Sequence, residues 1–69
     1  MPLSMAKEGE QNSIKKVGGK SETRKFLENL GFVQGSFVTV ITKINGNVIV
    51  NIKESRVAIS REMANAIMV

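Results

Sequence analysis

Leu30-Gly31-Phe32-Val33-Gln34-Gly35-Ser36-Phe37-Val38-Thr39-Val40 is the stretch whose reading decides the fold. It spells a helix end, a tight turn and the start of a strand. A glycine just past a helix adopts the left-handed conformation at little cost, and an apolar residue after it packs back on the last turn. Gly31 and Phe32 occupy those two places. Running the helix on through Gly31 would cost about 1 kcal/mol relative to alanine. Val33-Gln34-Gly35-Ser36 fits a type II turn, with Gly35 at the third position, where φ is positive. From Phe37 onward the residues are strong strand formers. Alternation sends Val38 and Val40 one way and Phe37, Thr39 and Ile41 the other.

Upstream, Ser21 to Leu30 is the clearest helix. Ser21 is placed to cap its N-terminus, and Glu22 sits where the helix dipole favours an acid. Thr23, Phe26, Leu27 and Leu30 fall on one face, with Lys20, Arg24, Lys25 and Glu28 on or near the other. Downstream, Asn45-Gly46 is the leading signal for a two-residue type I′ hairpin turn. The return strand, 47–53, sends Val48, Val50 and Ile52 to one face and Ile49 to the opposite one. Both faces of this hairpin therefore carry apolar residues. Phe26 and Leu30 of the helix are expected to cover the second; failing that, it is a surface for a partner or a second copy.

The remainder is shorter. Glu54-Ser55 reads as a turn and Arg56 to Ile59 as a strand. Ser60 caps one helical turn over 61–65, and the apolar Ile67-Met68-Val69 is a closing strand. At the other end, Leu3 and Ala6 are packing residues, and Gly9 is a turn that launches a weak strand over 11–17. In that strand Ile14 and Val17 are three apart, which calls for a bulge near Lys15–Lys16 or an early strand end. Gly18-Gly19 stops it. The order predicts a mainly β fold: a small SH3-like barrel of about five strands. One α-helix lies between the first two strands and a short helical turn precedes the last. Closure is the economical way for short strands to hide their edges.

Composition narrows the function. The 69 residues predict one domain spanning 1–69, with 10 Lys+Arg against 6 Asp+Glu and a net charge of +4. A chain this short buries only about 60% of its unfolded surface, so its stability margin is modest. There is no Cys, His, Trp or Tyr. That removes disulfides, the usual zinc ligands, the commonest general base and the thiol nucleophile. All six acids are Glu, so an EF-hand loop cannot be written. Gly18-Gly19-Lys20-Ser21 faintly echoes a phosphate loop, but Ile14 stands where the leading glycine belongs. The expectation is a protein without enzymatic activity and without a cofactor or metal site. With neither a membrane-length apolar run nor a signal-peptide core, the expected location is the cytosol.

The charge is concentrated. Residues 15–25 hold Lys15, Lys16, Lys20, Arg24 and Lys25 against Glu22, and elsewhere five basic residues balance five acids. The plain reading is a solvated face; the functional one is a docking patch for an acidic protein surface, nucleic acid or anionic lipid.

Taken together, the quoted stretch and its flanks resemble the FeoA family. The helix end, Leu30-Gly31-Phe32, then Gly35 and the valine-rich strand, carry most of the likeness. Gly9-Glu10 with Ile14 and Val17, Val57-Ala58-Ile59, and Ala64, Ile67 and Val69 support it. Gln34 and Glu8 stand where the family usually has proline, and Ala6 where it has leucine. Related domains form the C-terminal module of DtxR-type metal-dependent repressors. The resemblance implies an SH3-like fold and an accessory role in bacterial ferrous iron uptake, through contact with the cytosolic part of the FeoB GTPase-permease. It carries over no catalytic residue; Gly31, Gly35, Asn45 and Gly46 are structural. The family is also associated with transition-metal binding; Glu8 and Glu10, and Glu54 and Glu62 on either side of the short strand, are the carboxylates that weak iron(II) binding would use, although they form no ligand cluster and each reads first as a solvated acid. The candidate contact residues are Lys15, Lys16, Lys20, Arg24 and Lys25. The alternative is a small basic β-barrel that binds RNA, but single-strand readers need stacking aromatics and only Phe26, Phe32 and Phe37 exist. Nucleic acid is therefore not the expected partner.

Overall fold

The computed structural model describes residues 1–69. A 3-10 turn, Leu3–Met5, leads to β1 (Gln11–Ser13) and β2 (Lys16–Val17). Then come α1 (Ser21–Leu30), β3 (Phe37–Ile44), β4 (Asn47–Ile52), β5 (Ser55–Ser60), α2 (Arg61–Asn65) and β6 (Ile67–Met68). One antiparallel sheet has the order β1-β3-β4-β5, and a second pairs β2 with β6. No helix is long and apolar enough to cross a membrane.

The expected first strand is thus two strands in two sheets. Ile14 still bonds to the turn before β3: its N–H donates to Ser36 and its carbonyl accepts from Gly35, each at 2.9 Å. One residue later, the Lys15 N–H donates to the Met68 carbonyl in the other sheet. The chain changes sheets there, which accounts for the spacing of three between Ile14 and Val17. The sheets meet at this corner rather than closing through one continuous ladder.

Helix α1 has the expected bounds but a different cap. Lys20, extended at φ −67° and ψ 154°, precedes it, and Ser21 is already helical. No side chain caps this end, because lysine has no acceptor to offer. The other end matches expectation. Gly31 has φ 106°. Its N–H donates to Glu28, and the Phe32 N–H reaches back to Leu27, each at 3.0 Å. This paired pattern satisfies carbonyls that a helix end otherwise leaves open.

The register sorts the hairpin faces. Val38 pairs with Ile52 and Val40 with Val50, and β4 in turn sets Val48 against Ile59 and Val50 against Val57. The inward members join a single cluster of 14 buried apolar residues, with Leu27 and Phe32 from the helix end, and Leu3, Ile67 and Val69 from the two ends of the chain. A bulge does occur, but between Val40 and Thr42. The extra residue there brings Lys43 opposite Val48, where its Nζ donates to the Ser4 carbonyl at 2.7 Å.

Both hairpin turns use left-handed residues. Asn45 (φ 48°) and Gly46 (φ 81°) form the expected one. The second turn is Lys53-Glu54, not Glu54-Ser55, because Ser55 already pairs with Ile52. Lys53 and Glu54 hold φ at 49° and 65°, which costs a residue with a Cβ roughly 1–2 kcal/mol. Glu54→Gly should therefore stabilise the fold by about 1 kcal/mol. Thermal unfolding followed by far-UV circular dichroism checks this; an unchanged or lower midpoint counts against it.

At the C-terminal side, the Ser60 hydroxyl accepts from the Met63 N–H at 3.2 Å, as the cap reading requires. Strand β6 pairs with β2 as the expected closing strand.

Candidate docking surface

Lys15, Lys16, Lys20, Arg24 and Lys25 are all exposed. They follow one another from the sheet-changing corner, through β2, to the first turns of α1. The Arg24 N–H donates to the Lys20 carbonyl at 2.9 Å, which ties the first turn of α1 to the residue before it. Lys16 lines a shallow cleft with Gly18, Gly19 and Glu62. Glu62, distant in sequence, therefore borders the basic band at this end. All five side chains are solvated, where ion pairs contribute little.

The helix does not cover the second hairpin face as expected: its buried side joins the core on the first face. Leu30 packs against the core, but Phe26 is 48% exposed. Leu27 centres the buried stripe of the helix, and Phe26 lies about 100° around from it. On the strands, Phe37 (58%) and Ile44 (53%) are exposed as well, while Ile41 and Ile49 are half-buried. This outer face therefore leaves apolar side chains in contact with solvent. Gly31, Gly35, Asn45 and Gly46 hold positive φ at turns, in keeping with structural roles.

Glu8, Glu10, Glu54 and Glu62 do not assemble into a site: no group of three or more His, Cys, Asp or Glu side chains comes together. Isolated carboxylates do not fit the multi-ligand shell of a transition metal. The structure does bring together Lys43 and Arg61, at the tip of the β3–β4 hairpin and the start of α2. Linear spacing gives no hint of that pair; the contact that makes it is the Arg61 N–H donating to the Gly46 carbonyl at 3.0 Å.

Two short sheets around one core, with a helix between β2 and β3 and a helical turn before β6, define a small SH3-like β domain. A structure of FeoA from Stenotrophomonas maltophilia in complex with zinc, described as a procaryotic SH3 domain protein, superposes with a TM-score of 0.88 at 22% identity, covering 99% of this chain and 87% of that one. A manganese-dependent transcriptional repressor shares the fold at 17% identity and a TM-score of 0.88, over 97% of this chain but only 39% of its own. Fold alone therefore does not assign a role. Sequence goes further. The family model of the FeoA domain matches residues 1–69. A protein of Methanocaldococcus jannaschii, named as a candidate Fe(2+) transport protein A, is 41% identical over 68 residues, covering 99% of this chain and 83% of its own. The chain belongs to the FeoA family.

Proposed function

We propose that this protein is a cytosolic accessory component of ferrous iron uptake. It works by docking on the cytosolic part of a FeoB-type GTPase-permease and carries out no chemistry of its own. The observation that supports this most is membership of the FeoA family over the whole chain, together with the 41% identical transport relative. That membership favours transport over RNA binding. The basic band from Lys15 to Lys25 is the first contact surface. Its charges raise the rate of encounter with an acidic face more than they hold the complex, so the association is salt-sensitive.

Cells lacking the protein should take up iron(II) at an altered rate, which the wild-type chain restores. A chain with Lys15, Lys16, Lys20, Arg24 and Lys25 all changed to Glu, at normal abundance, should not restore it. Uptake that is unchanged by the deletion contradicts the accessory role; rescue by the charge-reversed chain rejects the basic band.

A further inference from the structure

A second cationic feature lies apart from the basic band. The β3–β4 hairpin tip, the 3-10 turn and the start of α2 surround an open cleft of about 290 Å3, whose lining includes Ser4, Lys43, Asn45, Asn47, Val48 and Arg61. No acidic residue lines it. At its rim the Lys43 ammonium and the Arg61 backbone are held by hydrogen bonds. The Lys43 Nζ donates to the Ser4 carbonyl at 2.7 Å, and the Arg61 backbone N–H donates to Gly46 at 3.0 Å. An ammonium has three donors and a guanidinium five. Lys43 spends one within the chain, the Arg61 guanidinium spends none, and the Asn45 and Asn47 side-chain amides spend none either. Ser4 Oγ is engaged with Asn65 Oδ1.

The lining thus carries two positive charges, a surplus of N–H donors and no counter-charge. A carboxylate would match only one of the cations. A phosphate monoester carries about −1.5 to −2 charge near neutral pH and three strong acceptor oxygens. We propose that this cleft binds a phosphoryl dianion. The planar Arg61 fork supplies paired donors, Lys43 a point charge, and the Asn45 and Asn47 amides the remaining contacts. A water takes up about 30 Å3, so the cleft has space for more than a phosphate. The inference is independent of docking on a permease.

Amide NMR titrations of the full chain with inorganic phosphate and with adenosine monophosphate, at ionic strength held constant with chloride, test it. Saturable shifts are expected at Ser4, at 43–48 and at Arg61. Arg61→Gln should weaken binding about fivefold, the scale of one screened charge contact, and leave the rest of the spectrum unchanged, since its backbone bond to Gly46 does not need the side chain. Lys43→Gln should act similarly. Tighter binding of the nucleotide identifies a nucleotide phosphate as the source, and equal binding identifies free phosphate; either supports the site. Absence of saturable shifts with both probes overturns it, as do shifts concentrated along 15–25 that survive Arg61→Gln.

Discussion

Gly31→Val should destabilise the protein by about 3 kcal/mol, a large share of the margin of a small domain. Two costs add. Gly31 sits at φ 106°, a conformation that costs a residue with a Cβ about 1–2 kcal/mol and is least tolerated by a β-branched one. The second is steric. A Cβ at Gly31 would lie 3.1 Å from Lys53 Cδ and 3.5 Å from Cγ and Cε. The flexible lysine stem must move, and Val adds two more carbons beside it, a cost of about 1 kcal/mol at the low end of overpacking. At roughly 4–8 °C per kcal/mol for a domain of this size, the melting midpoint should fall by about 12–24 °C. Lys53→Ala separates the terms: it should recover part of the loss in the Gly31→Val background and little in the wild type, a coupling that a double-mutant cycle reads directly. A wild-type-like melting curve for Gly31→Val would mean that the helix does not end in this left-handed turn.

Phe32→Ala should cost about 3–5 kcal/mol, the usual range for removing a fully buried aromatic ring. Phe32 is 0% exposed and heads the largest fully buried side chains. Its N–H completes the helix stop on Leu27, itself 0% exposed, so the ring joins α1 to the sheets at the point where the chain turns toward β3. Phe32→Leu keeps most of the volume and should cost clearly less. With no Trp or Tyr in the chain, urea unfolding followed by far-UV circular dichroism is the suitable readout. Equal midpoints for Phe32→Ala and wild type would remove Phe32 from the core.

Much of this fold can be read along the chain because its signals are local. The helix stop, the turn at Gly35 and the Asn45-Gly46 hairpin each depend on a residue that tolerates positive φ, and the structure uses all three. What escaped the reading depends on long-range pairing. Lys53 and Glu54 carry no turn signal, yet the pairing of Ile52 with Ser55 forces them left-handed. The bulge at Ile41 arises from the register of β3 on β4, which the alternation of valines does not reveal. The change of sheet at Lys15 needs Met68, at the other end of the chain. The partial exposure of Phe26 follows from which side of α1 the core selects.

The surface was legible in the same uneven way. A run of five basic residues within 15–25 is visible in any count of charge. Its border with Glu62, and the separate cleft lined by Lys43 and Arg61, exist only once α2 is folded against the hairpin and beside β2. The FeoA resemblance rests on turn and core residues, which explains why it conveys fold and family without marking a contact surface.

The most direct test is the dissociation constant of this protein for the isolated cytosolic part of its FeoB-type permease, measured at low and at physiological salt. The wild-type chain should bind saturably. Binding should weaken as salt rises, and reversing Lys15, Lys16, Lys20, Arg24 and Lys25 should weaken it further at low salt while the fold persists. No binding at low salt would contradict the docking role, and equal binding by the wild-type and charge-reversed chains would contradict the basic band as its surface.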